Sequence, residues 1–150
     1  MAAPVKIYDI IYSISCHESP QAMLDTIRNF NYFNRSSRIC IVINPNALMH
    51  TALMEPIKTF QNIYMLGPTE KVWGTYSIYE AHVDCFNFCR NYGIMGKYFI
   101  LMASNCYFHK EITLEQIDHI VDHTHRVIPI PDAHPKEGWH WPHWLTNEGV

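Results

Sequence analysis

An α/β domain built on a mainly parallel sheet is what this 150-residue sequence predicts. Two observations carry that prediction. Short runs rich in Ile, Val, Tyr and Phe recur along the chain, and segments of helical period lie between them. Strand and helix therefore alternate, which is the pattern of parallel strands joined by helical crossovers. The runs at 38–44 and 97–103 barely alternate between apolar and polar residues, as expected of strands covered on both faces.

The elements follow in order. "KIYDIIYSIS" (6–15) is the first strand. Ser19 and Pro20 open the first helix as N-cap and first helical residue, and Met23, Leu24, Ile27 and Phe30 form its apolar stripe. "RICIVIN" (38–44) is the second strand. From His50 to Phe60, Leu53, Met54, Ile57 and Phe60 keep a helical spacing that Pro56 interrupts unless a helix starts there. "NIYML" (62–66) is a weaker strand. Ser77-Ile78-Tyr79-Glu80 reads as a capping box, in which hydroxyl and carboxylate satisfy each other's unpaired amides. Ile78, Ala81, Cys85, Phe88, Cys89 and Tyr92 then share one face, and Gly93 suits a left-handed cap. "KYFILMA" (97–103) is the last strand, and a helix opens at Thr113 with Leu114, Ile117, Ile120 and Val121. After about Val127 the pattern fails, and four of the nine Pro and three of the four Trp fall beyond it. The expected organisation is one domain over 1–127 and an irregular Pro/Trp/His-rich tail over 128–150, packed on the domain or continuing into something longer.

Composition narrows the function. With 48% apolar and 17% charged residues the chain is globular. A formal charge of -3 argues against a nucleic-acid surface, which needs a basic excess. No run of eighteen apolar residues exists to span a membrane, and the N-terminus lacks a small-residue cleavage site. The five Cys are odd in number and contain no CxxC, so a reducing, cytoplasmic setting is expected.

In parallel α/β sheets ligands bind beyond the carboxyl ends of the strands. That rule selects Cys16-His17-Glu18, Asn44-Pro45-Asn46, the stretch 67–77, and Ala103-Ser104-Asn105-Cys106. The chain has no GxGxxG, no GxxxxGK[ST] and no GxSxG, which excludes ordinary dinucleotide, P-loop and hydrolase-elbow readings. In "EKVWGTYSIYE", Trp73 offers a flat face for stacking, Gly74 lets the backbone approach a ligand, and Ser77 starts a helix whose amides can face an anion. The alternative is that Trp73 packs on the sheet edge and Ser77 only caps.

"KVWGTYSIYEAHVDCFNFC" resembles the Trp-Gly-x-x-Ser stretch of the core-2/I-branching family of glycosyltransferases, which includes peptide xylosyltransferases. "IIYSISCHESPQAMLDTIRNF", "ICIVINPN" and "KYFILMASNCYFHKEITLEQI" resemble other family segments in the same order, so the match runs over about 7–122. The resemblance implies a GT-A-like, Rossmann-type fold. It implies a UDP-sugar donor, a carbohydrate acceptor, and inverting transfer with no cofactor and no divalent metal. Residue by residue, it puts His17 near the uridine, Asn44 against the uracil and Trp73 beside the nucleotide; the reading of the loop adds Gly74 and Ser77 to the expected donor-binding set, and the strand-end rule adds Ser104 and Asn105. Asn44 stands where the family has Asp, and Cys106 also replaces an Asp. The family's catalytic base lies in a region beyond the match, so the resemblance assigns no catalytic residue to this chain.

Two other readings rest on the tail. Six of the ten His fall at His119, His123, His125, His134, His140 and His143. His119 and His123 share a helix face, a spacing that suits zinc or a solvated surface. Trp139, Trp141 and Trp144 suit a non-catalytic carbohydrate-binding platform.

Overall fold

The computed structural model describes residues 5–17, 19–72 and 75–123. The chain divides into two units, Met1–Leu114 and Glu115–Val150. The first holds four strands, β1 (Lys6–Cys16), β2 (Ile39–Pro45), β3 (Ile63–Met65) and β4 (Ile94–Ala103), with helices α1 (Pro20–Phe33), α2 (Ala47–Leu53) and α3 (Ser77–Asn91). Helix α4 (Leu114–His123) runs from the last residue of the first unit into the second, and of the second the structure describes residues 115–123. The tail expected over 128–150 lies outside the described residues.

All strand pairs are parallel and the order is β3-β2-β1-β4. The sheet is therefore the Rossmann-like α/β arrangement that the alternating pattern predicts. The strands end at Cys16, Pro45, Met65 and Ala103, all on one edge. Between β1 and β4 the order reverses direction, and this creates the strand-order switch at which α/β sheets open a crevice.

Local chemistry explains the elements. The Ser19 hydroxyl accepts from the Ala22 amide at 3.2 Å, and Pro20 follows at the first helical position. Met23, Ile27 and Phe30 of α1 are buried against the sheet. Asn46 caps α2 by accepting from the Met49 amide at 2.9 Å. Pro56 does not continue α2 but begins a short 3-10 turn, Pro56–Thr59. Gly93 follows α3 at φ 66°, the left-handed conformation expected of its cap.

The capping box at Ser77 is not formed. Helix α3 begins at Ser77 itself, after Tyr76, and no side chain caps it. The Ser77 Oγ instead accepts from the Val72 amide at 2.9 Å and pairs with the Thr75 hydroxyl at 2.9 Å. Thr75 also donates its hydroxyl to the Val72 carbonyl at 2.7 Å. The two hydroxyls thus tie the loop back on itself, one residue out of phase with the expected cap.

The core has two sides. One is the face of α3, where Ile11, Cys40 and Val42 pack with Cys85, Cys89, Tyr8 and Ile94. On the other, Tyr12 of β1 meets Phe30 of α1 and Phe108 edge-on, with ring centroids 6.1 and 5.3 Å apart. The Cys16 thiol lies 3.2 Å from the Met23 sulfur on that same side.

Candidate functional site

The carboxyl edge is organised around Asn44, near the end of β2. After β3 the chain keeps alongside β2: the Leu66 amide donates to the Ile43 carbonyl and the Thr69 amide to the Pro45 carbonyl, both at 2.9 Å. This course brings Thr69 and Lys71 to Asn44. The Asn44 Oδ1 accepts from the Thr69 hydroxyl at 2.5 Å and from the Lys71 ammonium at 2.8 Å. Its Nδ2 donates to the Ala81 carbonyl and to the Asp84 carboxylate, each at 3.3 Å. A primary amide has two donors and two acceptor positions, so all four are engaged. The side chain is also fully buried. The expected pairing of Asn44 with a uracil edge therefore has no hydrogen-bonding position left to use.

Lys71 is the residue this network serves. Its ammonium also reaches the Thr69 hydroxyl at 3.1 Å and the Thr69 carbonyl at 3.3 Å. Burial lowers its pKa from the usual lysine value, while Cys16, Cys85 and Asp84 act in the opposite direction. From sequence, Lys71 is a candidate neighbour of a diphosphate together with Lys110 and Arg126, with solvated surface charge as the favoured account of each. The structure holds it half-buried, with its ammonium against Asn44 near the end of β2.

A second polar pair lies deeper on the same face. The Ser13 hydroxyl, fully buried, meets His82 Nδ1 at 2.9 Å. Burial lowers the His82 pKa, so the ring is neutral at pH 7. Ser13 is closed off beneath α3, and the pair bridges strand to helix rather than presenting a nucleophile. The hydroxyls of Ser15 and Ser104 are buried without a hydrogen-bond partner, and Ser15 is in register with Ala103 at the β1–β4 junction.

The sequence-derived donor set divides in space. His17 leaves β1 and Ser104-Asn105 leave β4, so the two groups flank the strand-order switch. The Thr26 hydroxyl donates to the Ser104 carbonyl at 2.9 Å, which ties this turn to α1, while Asn105 is exposed. Ser77 secures the loop from Val72 to Thr75. Trp73 and Gly74 lie outside the described residues. Thr69, Asp84 and His82 were not singled out as a site by sequence. One signal was available: Asp84 falls within the inward stripe of Ala81, Cys85 and Phe88, where a carboxylate needs a partner.

A shallow polar cleft of about 400 Å³ lies at the opposite, amino edge, lined in part by Asn31, Asn34, Ser36 and Gln61, away from these groups. Among the described residues no cluster of three or more His, Cys, Asp or Glu is placed to hold a metal ion. His119 lies on α4; the side chain of His123 and the later histidines and tryptophans lie outside the described residues. No helix among the described residues is long and apolar enough to cross a membrane. In comparisons with known proteins the chain matches no family model and no curated sequence.

Proposed function

We propose that the carboxyl edge of the sheet binds the nucleoside diphosphate of a UDP-sugar, as in a core-2/I-branching-type glycosyltransferase whose acceptor is a carbohydrate hydroxyl. The observation that carries the reading is the half-buried Lys71 ammonium at the strand ends, beside a strand-order switch flanked by His17 and Ser104. A departing diphosphate needs positive charge, and a lysine positioned by fixed hydrogen bonds supplies it without reorganisation. In this reading the Lys71 charge acts on the diphosphate through space, its three N–H donors being engaged by Asn44 Oδ1 and by the Thr69 hydroxyl and carbonyl, and Asn44, Thr69 and Asp84 are positioning residues for it. Trp73 stacks beside the base, and His17, Gly74, Ser77, Ser104 and Asn105 line the donor crevice. The sequence contains no Asp-x-Asp, which fits donor binding without a divalent metal. The five thiols, none of them in a disulfide, fit a reducing, cytoplasmic setting. The assignment is to donor binding; no residue is given the role of base.

Calorimetry of UDP with a chelator present tests this. Binding is expected with chelator and unchanged by manganese. Lys71→Met removes the positive charge nearest the proposed diphosphate and is expected to weaken UDP binding by about tenfold, roughly 1.4 kcal/mol. Trp73→Ala is expected to remove most of the binding, and Cys106→Ala to matter less. No binding at millimolar UDP, or binding only with manganese, would overturn the assignment.

A further inference from the structure

Strand β4 forms one border of the sheet. Among the described residues it pairs with β1 alone, so the far side of a ten-residue strand carries amides and carbonyls without a neighbouring strand. Such edges are normally blunted by charges, proline or short length. In β4 the only charged residue is Lys97, and there is no proline.

The surface beside this edge is apolar. Phe99 and Leu101 are in register with Ile11 and Ser13, which places them on the α3 side of the sheet. Helix α3 adds a stripe of its own: Tyr79, Val83, Phe86 and Arg90 recur at helical spacing and are all exposed. Phe86 meets Phe99 edge-on, with ring centroids 5.4 Å apart, so the stripe runs along the β4 edge. On the opposite flank of α3, Phe88 turns to Tyr64 of β3. Tyr79 is 52%, Phe86 53% and Leu101 50% exposed. Half of an aromatic side chain is about 100 Å². With Val83, Leu101 and the strand edge the patch reaches roughly 500 Å², the size at which an open apolar surface on a monomer marks an interaction site.

We propose that this face is the contact between two copies of the chain, related by a two-fold axis that pairs β4 with β4 antiparallel and sets α3 beside α3. The residues are self-complementary under that operation, as an isologous contact requires. With the axis at Ile100, Phe99 lies opposite Leu101 of the second copy, and Lys97 lies opposite Ala103, so no charge meets its like. With the helices crossing between Val83 and Phe86, these two side chains meet across the axis, and Arg90 reaches Tyr79 and Glu80 of the second copy. The two centres agree in height because Phe86 already sits on Phe99. Charge favours the same pairing. Glu80 and Arg90 are exposed, lie toward opposite ends of α3, and make no ion pair among the described residues. Arg90 over the Tyr79 ring adds a cation–π contact. Two such patches bury about 1,000 Å², the level at which specific interfaces begin. The contact is independent of nucleotide binding.

Sedimentation equilibrium of the full chain, from about 1 μM to about 1 mM, tests this. A reversible monomer–dimer equilibrium with no larger species is expected. Leu101→Glu, at an exposed position, should weaken the dimer at least about a hundredfold without altering the far-ultraviolet circular dichroism. Arg90→Glu should weaken it by about tenfold, and adding Glu80→Arg to that variant should restore it, because the reversed charges are again complementary. A chain that stays monomeric at the highest concentration overturns the proposal, and another segment or another protein then covers the face. A dimer that Leu101→Glu leaves intact overturns it too, as does open-ended association in place of a dimer. Failure of the charge exchange to restore pairing overturns the antiparallel arrangement.

Discussion

The two faces of the sheet use the same strands differently. On the α1 side, β1 presents Ile10, Tyr12, Ile14 and Cys16 in succession, all buried. On the α3 side the same strand presents Ile11, then Ser13, then Ser15. Strand β2 repeats the contrast, with Ile39, Ile41 and Ile43 toward one face and Cys40, Val42 and Asn44 toward the other. The α3 face thus begins apolar and turns polar toward the carboxyl edge, while the α1 face stays apolar throughout. A buried polar residue in a strand is costly unless paired. The α3 face accepts that cost at Ser13 and Asn44, which are paired to His82 and to Lys71 with Asp84, and at Ser15, whose hydroxyl is buried without a hydrogen-bond partner. One face therefore carries stability and the other, over its last few residues, carries a positioned charge.

The comparison breaks most visibly through Phe30. It is fully buried and touches both Tyr12 and Phe108. Phe30→Ala should cost about 3–5 kcal/mol, read as a shift in the urea midpoint. UDP affinity of the folded fraction should not change. If nucleotide binding falls in step with stability, the two faces are not separable.

Asn44→Leu attacks the other face. Leucine keeps the bulk of the side chain but leaves Lys71, Thr69 and Asp84 without their central partner. Each group deprived of a hydrogen bond costs roughly 1–3 kcal/mol. Here stability and UDP affinity should fall together, the second as strongly as in Lys71→Met. Loss of stability with UDP binding retained would make Asn44 a structural residue alone and would remove Lys71 from the diphosphate.

The sequence made the frame legible because strands and helix ends advertise themselves locally. The strand ends expected at Ser15, Asn44, Leu66 and Ala103 fall within a residue of Cys16, Pro45, Met65 and Ala103. Ser19-Pro20 and Gly93 behave as their own backbone preferences dictate. The polar network was hidden for the opposite reason. Lys71 lies in a loop with no periodicity, and its burial depends on the chain keeping beside β2 from Leu66 to Thr69. Ser77 shows how a local rule yields to a neighbour. Its hydroxyl had a cap to form, but the Val72 amide and the Thr75 hydroxyl were nearer partners. Asn44 was found at its place, yet its contacts run inward, a direction that residue identity does not encode.

The smallest expected effect concerns His82, and it bears on how the polar half of the α3 face responds to pH. Burial lowers the His82 pKa, so the folded protein resists protonation of this ring more than the unfolded chain does. At a pH between the folded value and the unfolded value of about 6.5, the unfolded state binds more protons. The stability associated with His82 is thus fully present above the unfolded value. It is lost as pH falls from there through the lowered folded value, and below both it changes no further. His82→Asn replaces the ring by an amide that can still meet Ser13 but does not titrate. Urea midpoints for the two proteins at a series of pH values from 7.5 to 4.5 isolate the term, because the other titrating groups are common to both. The wild-type protein should lose ground to the variant as the pH drops through this window, and the gap should then become constant. Parallel curves would mean that the Ser13–His82 pair holds a protonated ring as well as a neutral one, and the polar half of this face would then be more hydrated than its burial indicates.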